Sequence, residues 1–279
     1  MLAHDNNFDG IQMDIIWKLL DTCIIPIITY GSETWNTTKT ETHQINKILD
    51  NLLKRILKTP TTTPREALYI ETGLLDIKSQ SDLKRISMET RINLNPTPTT
   101  KGLDMSENKK TWTHITQNIK KEYQIPNNTK DLTRSKAKKY TKQKILEGFE
   151  LRIKSESANK SKITHLLNGK YQWAAGKRSP YMEKLTRNEC STIFKARTRM
   201  IDVKHNFRGK YENTTCRLCK TEEETQNHIL NICTVIHTDD KLKTPYEEIF
   251  NEETNKLTST AQKIDSILKI LTNPTTQNH

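Results

Sequence analysis

Glu41-Thr-His-Gln-Ile45-Asn-Lys-Ile48-Leu49-Asp-Asn-Leu52-Leu53-Lys-Arg-Ile56-Leu57-Lys-Thr59 is the stretch from which the fold class follows. Ile45, Ile48, Leu49, Leu52, Leu53, Ile56 and Leu57 recur at the three- and four-residue spacing that lines up side chains on one face of an α-helix. A single apolar face is therefore expected, with Lys47, Lys54, Arg55 and Lys58 opposite it. The helix should stop at Thr59-Pro60. Thr63-Pro64-Arg65-Glu66 reads as a fresh start, with Thr63 at the N-cap, proline in the first helical position and Glu66 reaching back to close a capping box. Gly73 should end that short helix, and Ser79 to Asn93 forms another with an imperfect stripe of Leu83, Ile86, Met88 and Ile92. Upstream, Ile11, Ile15 and Leu19 have helical spacing. Pro26 then predicts a buried extended segment from Ile24 to Tyr30, where Gly31 permits a turn and Tyr30 and Trp35 anchor it by burial.

Composition agrees with a mainly α chain. Only 33% of the 279 residues are hydrophobic, so the core must be small for the length. Charged residues reach 28% while glycine is scarce, which favours helices joined by polar loops. The formal charge of +12 is uneven: −1 over residues 1–100, +10 over 101–170, +8 over 171–220 and −5 over 221–279. A basic middle points to phosphates, because lysine and arginine gain affinity there by releasing condensed counterions. The candidate contacts are Lys138, Lys139 and Lys142 in a helix over 131–155, Lys195, Arg197 and Arg199 in a helix running to Met200, and Arg208 and Lys210. The last two lie in His205–Tyr211, where basic and aromatic residues alternate as expected beside a nucleic-acid strand. The 131–155 helix should dock through its later, apolar part (Ile145, Leu146, Phe149, Leu151) and present charge on the rest. The same lysines also read as plainly solvated faces.

Three of the five cysteines and one histidine fall in Cys216-Arg-Leu-Cys219, His228 and Cys233, spaced C-x2-C-x8-H-x4-C. Thiolates with a neutral imidazole are the donors of tetrahedral structural Zn²⁺ sites, and a C-x2-C pair can close on one ion from a tight turn. His228 and Cys233 can share one helix that ends near Cys233. His237 is a rival fourth ligand, since C-x3-H is also metal-compatible. Cys190, well upstream, reads as core filler. No secretory leader is read at the N-terminus, and no apolar run is long enough to span a bilayer. An intracellular setting, nucleus or cytoplasm, is expected, with no membrane partner and no small-molecule substrate.

Asn95-Pro-Thr-Pro-Thr-Thr-Lys-Gly102 is a linker by composition, as two prolines at spacing two forbid a continued helix. The chain thus divides into a helical region 1–94, a flexible basic connector 95–177, a basic helix with a small zinc module 178–240, and an acidic tail 241–279. The tail's Leu257, Ala261, Ile264, Ile267, Leu268 and Leu271 form a helix stripe able to pack on the zinc module or on a partner.

Pro26-Ile-Ile-Thr-Tyr30-Gly31-Ser-Glu33-Thr-Trp35 resembles the Tyr-Gly-x-Glu-x-Trp signature that follows the polymerase palm in non-LTR (LINE-type) retrotransposon reverse transcriptases. The order of helix, proline turn, Ala-Leu helix, glycine and helix over 41–93 is similar to the post-palm region of that family. Ile193-Phe-Lys-Ala-Arg-Thr198 and Asn206-Phe-Arg-Gly-Lys-Tyr211 resemble its C-terminal segment, and Cys216, Cys219, His228 and Cys233 match its CCHC motif one by one. The likeness covers 1–95 and 178–238. It implies thumb-like helices, a structural zinc, and binding to element RNA or target DNA beside the rest of a reverse transcriptase. Too few residues precede Tyr30 for a palm, and too few follow Cys233 for an endonuclease. His237-Thr-Asp-Asp240 lacks the apolar hairpin that would make it a catalytic turn. A non-catalytic piece is expected. A zinc-stabilised protein-interaction scaffold and a decayed reading frame are the alternatives.

Overall fold

The computed structural model describes residues 10–95, 97, 111–126, 133–160, 162–163, 165–166, 173–238 and 241–272. Most of the expected linker 95–102 and the Asp239-Asp240 pair lie outside them. Among the described residues the chain is mainly helical, as its composition predicts, and contains no β-strand.

Helix α1, Met13–Leu19, continues through a π-helical turn, Leu20–Ile24, into Ile25–Ile28. The expected extended segment is therefore helical, because Pro26 falls in the first turn of the closing piece, where its missing N–H costs little. The buried face is also not the expected one. Met13, Trp17 and Leu20 turn inward, whereas Ile15 and Leu19 are exposed. Trp17 sets this facing: its Nε1 donates to the Met182 carbonyl at 2.7 Å, and Arg178 lies over its ring. Tyr30 is 83% exposed and anchors nothing.

Helix α2, Lys39–Ile56, opens with a capping box between Thr38 and Glu41. Its inward face carries Asn46 and Asp50 with Leu49, Leu53 and Ile56, while Ile48 of the expected stripe is exposed. Two hydrogen bonds account for the rotation: Asn46 Oδ1 accepts from Ile77 N at 2.8 Å, and Asp50 Oδ1 accepts from Tyr69 OH at 2.6 Å. Helix α3, Arg65–Thr72, ends at Gly73 in the left-handed region, as expected. The capping box predicted for Thr63 does not form. Pro64 takes the N-cap position and Glu66 pairs with Lys160 at 2.6 Å.

Helix α4, Ile77–Leu94, is capped by Asp76, whose other oxygen accepts from Arg152 at 2.8 Å. Its stripe is imperfect because the inward face is largely polar: Ser79, Asp82, Arg85 and Glu89 are buried. Helix α5, Trp112–Glu122, supplies the buried Lys120 that pairs with Glu89 at 2.9 Å. Helix α6, Arg134–Ser157, buries Ala137, Thr141, Ile145, Phe149, Ile153 and Ser157, one residue in every four along its whole length. It therefore docks from end to end against α4 and α3, where docking of its later half alone was expected. The connector thus holds the helix expected over this stretch. Leu151 of the expected apolar half is exposed.

Helices α7, Tyr181–Lys184, and α8, Arg187–Arg197, lead to the cysteine-rich region, after which come α9, Tyr246–Ile249, and α10, Thr254–Thr272. Two apolar clusters meet along α10. Its Leu257 and Ala261 belong to the cluster built from α1, α2, α3, α6 and α8, and its Ile264, Ile267 and Leu271 to the one around Cys216 and Cys233.

Arg197 is the main correction to the expected basic surface. It is 1% exposed, donates to the carbonyls of Ile249 and Asn251 at 3.0 and 3.3 Å, stacks on Tyr181 and Phe250, and lies 3.6 Å from the buried Glu71. A guanidinium with these partners is a strut between α3, α8 and α9, and no phosphate reaches it. Arg197→Met should lower unfolding free energy by about 3–5 kcal/mol, because Glu71 would be left buried beside an apolar group. In urea denaturation the Glu71→Gln/Arg197→Met pair should lose less than the single change.

Candidate metal centre

Cys216 and Cys219 sit on a tight loop held by an isolated antiparallel bridge between Thr215 and Glu223. Cys216 N donates to Glu222 O at 2.7 Å and Lys220 N to Cys216 O at 3.1 Å, which curls the C-x2-C segment so that both sulfurs face one side. Lys220 closes the curl with φ +61°, a conformation uncommon for a residue with a side chain.

His228 and Cys233 come from the other wall through a π-helical turn, His228–Ile232. The reason is geometric. Five residues of an α-helix sweep about 500°, which leaves positions i and i+5 about 140° apart. Cys233 N instead donates to His228 O at 2.7 Å, the i to i+5 closure of a π turn, and the wider turn returns both side chains to one face.

The four ligand atoms lie within 4.8 Å of one another. Cys216 Sγ is 3.9 Å from Cys233 Sγ, and Cys219 Sγ is 3.3 Å from His228 Nε2. Sulfurs bound to one tetrahedral Zn²⁺ at ~2.3 Å would stand about 3.8 Å apart, so the spacing already fits a shared ion. Glu222 Oε2 is 2.9 Å from His228 Nδ1, the carboxylate partner that fixes a ligating imidazole with Nε2 toward the metal. Burial pushes the Cys216 thiol up to about 11. At Cys219 burial acts the same way but is outweighed by donors, Thr221 Oγ1 foremost at 3.1 Å, which bring the thiol down to about 6. His237 does not join the cluster; its Nε2 lies 2.9 Å from the Ile229 carbonyl.

Glu224 holds the loop from behind. It is fully buried, accepts from the backbone of Lys204 and Arg217 at 2.9 and 2.8 Å, and takes the Arg217 side chain at 2.6 Å. Burial raises its pKa, and the bonds to Arg217 more than reverse this, leaving it below the usual carboxylate range. Neither Glu222 nor Glu224 was assigned a role from the sequence. The signal that marks them is the acidic triplet Glu222-Glu-Glu224 between the second cysteine and the histidine.

The predicted phosphate contacts fare unevenly. Lys138, Lys139 and Lys142 are exposed together on α6, and Arg199 and Lys210 are exposed near the cysteine-rich region. Arg208 is exposed but bound to Glu223 at 2.8 Å. Lys195 is half-buried; burial first, then the charge of Lys58, pushes its pKa down. Arg197 is withdrawn into the core. No helix among the described residues is long and apolar enough to cross a membrane. Comparison with protein-family models, curated proteins and solved structures found no match.

The four residues can bind a metal ion, and competition against a chromophoric chelator tests this. One Zn²⁺ per chain is expected, lost on Cys219→Ser and retained on His237→Ala. Glu222→Gln should keep the stoichiometry and weaken affinity about 10–100-fold, the range for loss of an imidazole's carboxylate partner.

Proposed function

We propose that this chain corresponds to the post-palm, C-terminal region of a non-LTR retrotransposon reverse transcriptase, binding RNA or DNA without itself supplying polymerase chemistry. The observation that carries the reading is the convergence of Cys216, Cys219, His228 and Cys233, the four positions that match that family's CCHC motif. Four protein donors leave no open coordination position, so the ion has a structural role: it ties the C-x2-C loop to the segment leading into the tail. The lysines of α6 support the nucleic-acid part. Lys138, Lys139 and Lys142, with Lys136 and Arg134, are exposed, and none of these five has a carboxylate partner among the described residues. Such a row of unpaired positive charge raises the local concentration of phosphates.

Fluorescence anisotropy with single-stranded RNA and duplex DNA across a salt series is the direct test. Affinity should fall steeply, and the log–log slope should flatten by roughly 2 to 3 when Lys138, Lys139 and Lys142 become glutamine, at about 0.7–0.9 per phosphate contact. Absence of salt-sensitive binding to either probe would sink the reading.

One observation favours a protein-interaction scaffold as the second reading. Ile15, Leu19, Cys23, Ile27 and Tyr30 are all exposed and follow one another at spacings of four, four, four and three, an apolar stripe along the outer face of α1 and its continuation. A partner retained at high salt and lost on Leu19→Ser/Ile27→Ser, with no nucleic acid in the complex, would establish that reading in place of the first.

A further inference from the structure

Next to the metal centre lies a cleft of about 480 Å³ whose lining includes Lys162, Arg199, Gln226, Asn227, Asn231 and Tyr246, and no carboxylate. The larger cleft beside α2 and α4, about 650 Å³, differs in kind. There Arg65, Lys78 and Arg152 pair with Asp76, Asp82 and Glu122, which also line it. In the smaller cleft Lys162 Nζ finds only the Met200 sulfur at 3.7 Å, a weak acceptor, and the Arg199 guanidinium makes no ion pair among the described residues. The third basic group, His205, is engaged by Glu223 at 3.1 Å. Two cations thus face a space in which no described residue offers them an anion.

The remaining walls are those of a base site. Tyr246 is 46% exposed, and Phe250 backs its ring at 4.5 Å between centroids with a 34° tilt. Phe250 in turn rests on the buried Arg197 guanidinium, so the platform is braced from the core. The Asn227 Oδ1 accepts from Asn231 at 3.1 Å, and its amide N–H groups have no acceptor among the described residues. Burial raises the Tyr246 pKa, and Arg199 is the first charge acting against it, which places that guanidinium within electrostatic reach of the ring.

We infer that this cleft holds one unstacked nucleotide of a single-stranded nucleic acid, its base on Tyr246 and its flanking phosphates on Lys162 and Arg199. The inference rests on the nucleic-acid reading above and narrows the partner to single strands. A duplex keeps its bases stacked and paired, so Tyr246 gains nothing from it. An inorganic anion would satisfy the cations but leave the aromatic and amide walls unused.

The test uses the zinc-loaded full chain, with anisotropy of an eight-nucleotide single-stranded RNA, a DNA of the same sequence, a blunt DNA duplex and a glutamate-rich peptide. Tyr246→Ala should weaken single-strand binding about tenfold and leave duplex binding unchanged, whereas Tyr246→Phe should bind like the parent. Lys162→Gln/Arg199→Gln should flatten the single-strand salt slope by roughly 1.4. Zinc content and melting temperature show that each variant is folded, and Arg199→Gln alone, at an exposed position, serves if Tyr246→Ala is not. Unchanged single-strand binding in these variants, alongside a loss in the α6 lysine variant, would overturn the cleft and keep the broader function. No binding of any strand by the parent would overturn both. Peptide binding that is lost in Lys162→Gln/Arg199→Gln, without oligonucleotide binding, would reassign the cleft to an acidic protein partner.

Discussion

The guanidinium of Arg197 is the point on which the two halves of the molecule depend. It reaches Glu71 on α3, the carbonyls of Ile249 and Asn251 near α9, and the rings of Tyr181 and Phe250. Glu71 is itself tied to Ser179, through its carboxylate at 2.9 Å and its carbonyl at 3.0 Å. A buried ion pair of this kind adds little net stability over a well-packed apolar pair, yet it is unforgiving of the wrong geometry. Its effect is to make one relative placement of these elements much better than its neighbours. Helix α10 reinforces that placement by contributing to both apolar clusters.

The metal centre depends on the same frame. Cys216, Cys233, Ile229 and Leu230 belong to the cluster that includes Ile264 and Ile267 of α10, so the ligands are packed before any ion is considered. Glu224 gathers the loop through Lys204 and Arg217, and Gln226 Nε2 donates to the Ala196 carbonyl at the end of α8. An ion held there would fix the cysteine-rich loop against α8 and the tail. The proposed nucleotide cleft shares this wall, which couples the structural role of the site to the surface it supports.

Much of this was legible beforehand, for identifiable reasons. The helix over 39–56 was readable because seven aliphatic side chains at helical spacing outweigh any local preference. Gly73 was readable as a stop because a left-handed residue favours glycine, and the four ligands because few functions place three cysteines and a histidine so closely. What failed did so where a side chain with a specific distant partner took the inward place that spacing alone assigned to another. Ile48 lost its inward place to Asn46 and Asp50, whose acceptors meet Ile77 N and Tyr69 OH. Ile15 and Leu19 lost theirs to Met13 and Trp17. Thr63 had the residues of a capping box, but Glu66 found Lys160, 94 positions away, instead of its own N-terminus.

By itself the sequence determined the mainly helical class, the existence of α2, the stop at Gly73 and the identity of four metal-compatible ligands, because each follows from spacing within one turn or a few turns of chain. The stripe read for α10 is the face it buries, but only the tertiary structure decided which faces α1 and α2 bury, which arginine is a strut and which is exposed, and that Glu222 stands behind His228. Most of these outcomes rest on partners far apart in the chain. A buried charge or amide must meet one particular donor or acceptor, and periodicity cannot say which one folding will bring to it.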